Sequence, residues 1–266
     1  MKLNLPNVTN ARDLGGITTK YGVIKPNKLI RSGVVNRLTE QDVNILLADI
    51  NLKRIVDLRA DIELANNPDT DIAGVQHLHI PIIRAVTFGI SFESLEGEAM
   101  ARRLQEGIER MRAKGHDYPA HMREVYSRYV NDEHCRLGYG RFLKLLANRP
   151  VDGATLWHCT MGKDRCGTCA ALLEHCLGAD SDTIYKDYME SNVQTLSNTN
   201  SLLNKAKPYV DEDKLQLIQN MLMVQPYYFE EWIAQMDKSF GGIDGFICAC
   251  GVTDEEIEKL RKHYLQ

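Results

Sequence analysis

Hydrophobic and polar positions follow two different periods along this chain. Short apolar or alternating runs at residues 29–32, 53–58 and 75–82 are typical of β-strands, and the second of these runs reads as a fully buried strand. Brief β-like pieces and turns come before them. After residue 84, apolar positions recur every three or four residues, which indicates helices.

The helical pattern starts after Thr39, which together with Asp42 has the spacing of a capping box. Breaks are predicted at residues 115–119, at Gly178 and at the pair Gly241 and Gly242. The predicted helices span residues 40–49, 62–66, 100–114, 121–130, 140–147, 166–177, 181–191, 213–223, 227–239 and 254–264.

Strands that alternate with helices predict an α/β fold with helices around a central sheet. The chain has 266 residues, enough to bury a large core, and it shows no internal repeat or linker. We therefore expect one domain over residues 1–266. Within it, residues 84–149 form a charge-rich helical insertion, either a solvated cover on the sheet or a lid.

Charge and composition limit the classes of partner and the cellular location that we expect for this protein. A formal charge of −4 and a pI near 6.1 give no support for a nucleic-acid partner. The N-terminal residues lack the apolar core of a signal peptide, and no run approaches the roughly 20 apolar residues of a membrane span. We expect a cytoplasmic protein, with export by another route left open.

Seven cysteines are an odd number and suit reduced thiols better than a disulfide scaffold. Two cysteine pairs and two histidines have spacings that can bind metals, but each lacks a matched partner set. These are Cys166 with Cys169, Cys248 with Cys250, and His77 with His79. We expect neither a metal nor another cofactor.

One stretch, LWHCTMGKDRCGTCAALL at residues 156–173, passes from an apolar strand through a tight loop into a helix. Cys159 and Arg165 enclose five residues. A cysteine that merely ends a buried strand would not require the glycine, lysine, aspartate and arginine that follow this one within six residues. The spacing indicates a phosphate-binding loop with a thiolate nucleophile.

The chemistry of phosphate explains these residue types. A phosphate monoester carries about two negative charges at neutral pH. Backbone amides of Thr160, Met161 and Gly162 can cradle that charge, and the helix N-terminus behind them adds its dipole. Arg165 offers a planar fork to two phosphate oxygens. The same field favours the thiolate of Cys159.

The loop HCTMGKDRCG resembles that of the bacterial tyrosine and phosphoinositide phosphatases, the triple-specificity branch of the cysteine-dependent protein tyrosine phosphatases. Residues 10–17, 29–42 and 55–64 and the closing helical segment resemble the same family. The resemblance implies a protein tyrosine phosphatase-like fold with a largely parallel sheet and a helical insertion before the catalytic strand. It also implies hydrolysis of phosphotyrosine, and of phosphoserine, phosphothreonine or phosphoinositides, in proteins or lipids.

Four residues outside the nucleophile and its arginine are candidates for supporting roles. His158 is expected to hydrogen-bond and fix the loop. Arg12 or Asp13 either form a surface ion pair or brace the site, as the resemblance suggests. Asp57 either pairs with Arg59 at a strand end or lies behind the site, because ligands gather at the carboxyl ends of strands in α/β sheets.

The leaving group needs an acid to protonate it, and the sequence contains no Trp-Pro-Asp motif that would identify this acid. Asp164 is the nearest candidate, and the resemblance implies that role. A carboxylate elsewhere, water, or a leaving group that needs no acid stay open. Lys163 is expected to bind substrate, and a second cation would favour substrates with more than one phosphate.

Cys166 stands where the family usually has Thr or Ser, whose hydroxyl helps Cys159 leave as thiolate. A thiol is a weaker donor, so slower hydrolysis of the cysteinyl-phosphate is expected. Two alternative functions follow: a slow phosphate-binding module, or a redox protein in which Cys159 bonds to Cys166 or Cys169. The sequence leaves the oligomeric state open.

Overall fold

The computed structural model describes residues 2–89 and 97–266, and it has the predicted α/β architecture. Its main sheet contains five strands in the order β1-β4-β7-β5-β6. Their bounds, with those of a small hairpin formed by β2 and β3, are β1 Arg12–Asp13, β2 Thr18–Thr19, β3 Gly22–Val23, β4 Leu29–Ser32, β5 Leu52–Asp57, β6 Gln76–His79 and β7 Ala154–His158.

The sheet is largely parallel. β4, β7, β5 and β6 run in one direction, and only the edge pair β1 and β4 is antiparallel. Ser32 and Asp57 both pair with His158 in register. The carboxyl ends of three neighbouring strands therefore meet at one edge of the sheet, where β7 leads into the loop at Cys159.

Helices cover both faces of the sheet, and β7 is buried along its whole length between them. Trp157 packs edge-on against Phe142, and Leu156 belongs to a second apolar cluster with Ile30 and Ile55. The helices are α1 Glu40–Asn44, which continues as a π-helical turn over Ile45–Asp49, α2 Asp61–Asn66, α3 Gly97–Ala113, α4 Tyr118–Asn131, α5 Glu133–Asn148, α6 Asp164–Leu177, α7 Ser181–Ala206, α8 Glu212–Leu222, α9 Pro226–Phe240, α10 Ile243–Ala249 and α11 Asp254–Tyr264.

The prediction that a helix would end at residue 191 is wrong. α7 continues to Ala206 through a polar segment that follows the predicted end. Ser191, Thr195 and Thr199 recur every four residues on its buried face, and the Thr195 hydroxyl donates to the Ser191 carbonyl at 2.8 Å. Burial of a polar stripe thus overrides the weak helix preference of these residues.

Other differences from prediction concern the starts of helices and one additional helix. α4 and α5 begin earlier than expected, because Asp117 and Asp132 act as N-caps. The short helix α10 was not predicted, although Gly241 and Gly242 do separate it from α9 as expected. Its seven residues are too few to show a clear helical period.

The predicted insertion at residues 84–149 contains α3, α4 and α5, and residues 90–96 of it lie outside the described chain. α4 packs along α9, which comes from the C-terminal part of the chain. Buried residues of α4 include Tyr126 and Tyr129, so this helix presents tyrosines to the interior of the molecule. Among the described helices, none combines the length and apolar composition that crossing a membrane requires.

Candidate active site

The loop between β7 and α6 makes a tight curl that depends on Gly162. This residue has φ of +70°, and a Cβ atom there would lie 2.5 Å from the carbonyl of Ser32. A side chain would therefore collide with the end of β4 and strain the backbone. Glycine lets the loop lie directly against the neighbouring strand.

The carbonyl groups of this loop are held by donors on its outer side. The Gly162 carbonyl accepts from Asn10 Nδ2 and from Arg31 Nη2, each at 2.9 Å, and the Thr160 carbonyl accepts from the Val34 amide at 3.1 Å. In a trans peptide the following N–H points opposite to the C=O. The amides after these carbonyls therefore point to the other side of the loop, where an anion can be bound.

Cys159 lies at the start of this curl and is 2% exposed. Burial opposes ionisation of its thiol, but a hydrogen bond from Cys166 and the charge of Arg165 outweigh that effect and lower the pKa of Cys159 to about 6. Cys166 keeps its proton, because burial and the adjacent Cys159 raise its pKa. At neutral pH the pair is a thiolate beside a neutral thiol donor.

Alkylation should report this ionisation directly. Because the thiolate is the reactive form, inactivation by iodoacetamide should accelerate as the pH rises through about 6 and become constant above it. The measurement is the rate of Cys159 modification by peptide mass spectrometry between pH 4.5 and 9. Exposed Cys248 in the same samples is the internal control, and a Cys159 rate that still climbs above pH 8 would contradict the lowered pKa.

Arg165 is fully buried and is held by a carboxylate from the start of α2. Glu63 accepts from Arg165 Nη1 at 2.5 Å and from Nη2 at 3.0 Å, and the same carboxylate accepts from the Ala60 amide and the Thr160 hydroxyl. Burial opposes the charge of Arg165, but Glu63 and Cys159 raise its pKa above the ordinary value. The guanidinium is thus fixed beside the loop in a bidentate ion pair.

Asp164 is the first residue of α6, and its two carboxylate oxygens have different partners. Oδ1 accepts from the Tyr126 hydroxyl at 2.7 Å, and Oδ2 lies 3.1 Å from Lys163 Nζ. Lys163 is 1% exposed and so is not a solvated charge. α4 therefore reaches the loop and contacts the candidate acid.

Tyr129 lies one helical turn beyond Tyr126, with its ring centroid 5.1 Å from that of Tyr126. Its buried hydroxyl has no hydrogen-bond partner among the residues that the structure describes. Burial and the charge of Asp164 raise the pKa of Tyr129, which keeps it a neutral donor. Buried hydroxyls are normally paired, and this one is close enough to Asp164, Arg165 and Cys159 for their charges to affect it.

His158 supports the loop from behind through a charged network. Its Nε2 lies 2.8 Å from Asp69, and its Nδ1 lies 3.9 Å from Asp57. Arg59 pairs with both aspartates at 2.8 Å. Burial favours neutral imidazole, but the two aspartates outweigh it and raise the pKa of His158. Asp57 therefore forms the expected ion pair with Arg59 and also lies next to His158.

The two N-terminal candidates have different surroundings. Arg12 contacts Asp187 at 3.0 Å and donates to Asn10, which in turn holds the Gly162 carbonyl. Asp13 instead accepts from the amides of Gly15 and Asn27, each at 2.8 Å, and so stabilises a turn. The structure brings Arg12 towards the loop and places the carboxylate of Asp13 in the turn.

Sequence reading assigned no site role to several residues that contact the loop or its neighbours: Asn10, Arg31, Glu63, Asp69, Tyr126, Tyr129 and Asp187. Arg31 lies at the end of β4 and joins Gly162 to Asp187 of α7. Glu63 occupies the third position of α2, where a glutamate commonly caps its own helix. The sequence around Glu63 therefore gives no sign of its contact with Arg165.

The chain belongs to the tyrosine phosphatase family, whose sequence model matches residues 3–266. The match covers the sheet, the loop at Cys159 and the closing helices. Family membership defines the protein as a hydrolase, and it agrees with the α/β fold and largely parallel sheet seen here.

Several proteins of this kind are similar along most of the chain. A triple specificity protein phosphatase, PtpB, from Mycobacterium tuberculosis is 25% identical over 97% of this chain and 96% of its own length. A putative tyrosine-protein phosphatase from Cupriavidus necator is 26% identical over 99% of this chain and 88% of its own length. A tyrosine-protein phosphatase from Nostoc commune is 24% identical over 90% of this chain and 74% of its own length.

Proposed function

We propose that this protein hydrolyses phosphate monoesters through a cysteinyl-phosphate formed on Cys159. The observation that carries the proposal is the arrangement of a buried, ionised Cys159 beside Arg165 on a loop whose carbonyls are held outward. Such a loop can hold a phosphoryl dianion against a nucleophile. Membership in the tyrosine phosphatase family supports the same chemistry.

The reaction proceeds in two displacements. Cys159 Sγ forms a bond to phosphorus while the bond from phosphorus to the leaving oxygen breaks, and Asp164 gives that oxygen a proton. Arg165 and the amides after Thr160 stabilise the charge on the equatorial oxygens. A water molecule then attacks the phosphorus of the cysteinyl-phosphate while Asp164 takes a proton from that water. The bond from phosphorus to sulfur breaks, and inorganic phosphate and the Cys159 thiolate are released.

Access to this site requires movement of the insertion. Cys159, Lys163, Asp164 and Arg165 are each at most 2% exposed, so a substrate cannot reach the sulfur in the conformation described. α4 covers them with Tyr126 and Tyr129 and packs along α9. We infer that α4 belongs to a lid that opens for substrate and excludes water from the thiolate when it closes.

Phosphotyrosine is the expected protein substrate, and phosphoinositides are a further expected class. Two cations, Lys163 and Arg165, flank Asp164 in the sequence, and Lys163 Nζ donates to the Met223 carbonyl at 3.4 Å. When the lid opens, Lys163 can exchange this weak bond for a second phosphate group. The triple specificity of the Mycobacterium tuberculosis relative supports a range wider than phosphotyrosine.

Rapid acid quench during turnover of para-nitrophenyl phosphate tests the proposal. The expected result is a phosphoryl group on the peptide that contains Cys159, found by mass spectrometry at a stoichiometry that rises during the first turnover. The same quench without substrate is the control. Turnover with no modified cysteine at any quench time would contradict the covalent mechanism.

Cys166 gives a second prediction, which concerns the breakdown of that intermediate. Its sulfur lies 3.5 Å from the Ser32 carbonyl and contacts Cys159. Replacing it with Thr or Ser supplies a stronger donor to the departing thiolate. A gain of about 1 kcal/mol in that hydrogen bond corresponds to roughly fivefold faster breakdown.

The measurement is the slow phase that follows the nitrophenol burst in stopped-flow kinetics. Cys166→Ser matches the thiol in size, Cys166→Thr restores the family residue, and Cys166→Ala removes the donor. We expect the two hydroxyl variants to accelerate the slow phase and the alanine variant to retard it. Equal slow phases in all four proteins would show that Cys166 does not assist the leaving thiolate.

A further inference from the structure

Two histidines and a glutamate converge where the chain turns from α3 into α4. His116 lies in the turn before α4, while His121 and Glu124 lie on α4 itself. One potential ligand atom from each of the three residues lies within 4.8 Å of the other two. The spacing of three residues puts His121 and Glu124 on the same helix face, and the preceding turn brings His116 to that face.

Each of these residues has a buried polar atom without a hydrogen-bond partner in the described part of the chain. The three atoms are His116 Nδ1, His121 Nδ1 and Glu124 Oε2. His121 as a whole is only 6% exposed. Buried polar atoms are nearly always hydrogen-bonded, so three unsatisfied atoms in one cluster indicate a ligand that they share.

The hydrogen bond of His121 fixes which of its nitrogens can bind that ligand. Nε2 lies 3.1 Å from the carbonyl of Phe88, which can only accept, so Nε2 carries the proton and Nδ1 has a free lone pair. A histidine whose second nitrogen donates to a backbone carbonyl is the usual arrangement at a metal ion.

One of the three distances between ligand atoms matches a small tetrahedral ion closely, and all three are within 4.8 Å. His116 Nδ1 and Glu124 Oε2 lie 3.4 Å apart, and ligand bonds of roughly 2.0–2.2 Å in a tetrahedron separate two ligand atoms by about 3.3–3.6 Å. Two imidazoles and one carboxylate form a common ligand set for Zn²⁺, with water in the fourth position.

The other oxygen of Glu124 has cationic neighbours. Oε1 lies 3.8 Å from Lys114 Nζ and 4.0 Å from Arg128 Nε, and these contacts orient the carboxylate so that Oε2 points to the histidines. Their charges also weaken the attraction for a dication. The site should therefore bind a metal ion when one is added, and it should release that ion during purification with a chelator.

We propose that His116, His121 and Glu124 bind a divalent metal ion of the Zn²⁺ type at the base of the lid. The ion joins the turn after α3 to the first two turns of α4. Because α4 also carries Tyr126 and Tyr129, the ion restrains the helix that covers the loop. The proposal stands independently of the phosphatase chemistry and is tested in a protein that lacks the nucleophile.

The experiment uses the full chain with Cys159→Ser, so that the reactive thiolate cannot bind the metal. Co²⁺ is titrated into the chelator-treated protein and its absorption spectrum is recorded, and Zn²⁺ affinity is measured by competition with a chromophoric chelator. His116→Ala and Glu124→Gln are made in the same background, and both residues are partly exposed. The matched control is His77→Ala, which removes an exposed histidine from β6.

We expect one equivalent of Co²⁺ with a tetrahedral spectrum and no sulfur-to-cobalt charge-transfer band. Affinity for Zn²⁺ should fall at least about tenfold in both ligand variants, since even the outer partners of metal ligands are worth 10–100-fold, and it should not change in His77→Ala. Equal affinity in all four proteins, or a sulfur charge-transfer band, would overturn the proposal. Retained binding in Glu124→Gln alone would remove the glutamate from the ligand set and refute the site as proposed.

Discussion

Replacing Cys159 with Ser is expected to lower kcat for para-nitrophenyl phosphate by a factor on the order of 10⁵–10⁶, the scale on which loss of a nucleophile acts. A serine hydroxyl in the same place stays protonated, because the surroundings that bring the pKa of Cys159 to about 6 cannot ionise an alcohol at neutral pH. The nucleophile is lost while the loop, Arg165 and Glu63 remain.

A binding measurement distinguishes the loss of the nucleophile in Cys159→Ser from a loss of folded structure. Phosphate affinity should be kept or increased in Cys159→Ser, since a neutral hydroxyl replaces an anion that repels the phosphoryl oxygens. Calorimetric titration with a phosphotyrosine peptide measures it. Cys248→Ser, at an exposed cysteine, serves as the matched control and should have the activity of the unmodified protein. Turnover above about one per cent in Cys159→Ser would exclude a cysteine nucleophile.

Comparison of this variant with the unmodified protein, together with mild oxidation of the latter, distinguishes the three functions that the sequence allows. A slow phosphate-binding module would bind the peptide with or without Cys159 and would show no burst in either protein. A redox protein would form a bridge from Cys159 to Cys166 or Cys169 after mild oxidation. Mass spectrometry of peroxide-treated protein tests the third possibility, and all seven cysteines of the described chain are free thiols in the structure.

The loop at Cys159 could be predicted because its residues are consecutive. A strand, a curl with Gly162 and a helix leave a local pattern, and the resemblance to a known family implies that the neighbouring strands are largely parallel. The position of this loop at the carboxyl edge of the sheet could therefore be predicted from the sequence. So was the ion pair of Asp57 with Arg59, which are two residues apart.

The partners of Arg165 and Asp164 could not be predicted in the same way. Glu63 is 102 residues before Arg165, and Tyr126 is 38 residues before Asp164. Their spacing carries no motif, and each has a plausible local role, Glu63 in a helix cap and Tyr126 in a buried helix face. Only the packing of α2 and α4 against the loop reveals that both act at one site.

Removing the carboxylic acid of Asp164 is expected to be most harmful for substrates with poor leaving groups. General acid catalysis contributes roughly 10²–10⁴-fold, so kcat/KM of Asp164→Asn should fall by that factor for a phosphate ester of an alkyl alcohol. The loss should shrink towards nothing as the leaving group becomes a stronger acid and departs without a proton. The measurement is kcat/KM for a series of aryl phosphates whose leaving groups differ in pKa. In a plot of log kcat/KM against that pKa, Asp164→Asn should give a steeper slope than the unmodified protein.

The contacts of Asp164 also allow a positioning role, because its carboxylate joins Lys163 to Tyr126. In that case Asp164→Asn would lower kcat/KM by the same factor for every substrate in the series, and the slope would stay as in the unmodified protein. Tyr126→Phe is the matched control, since it removes the hydrogen bond to Asp164 Oδ1 but leaves the acid. We expect Tyr126→Phe to keep the original slope and Asp164→Asn to steepen it, and parallel slopes in all three proteins would assign the acid to another group.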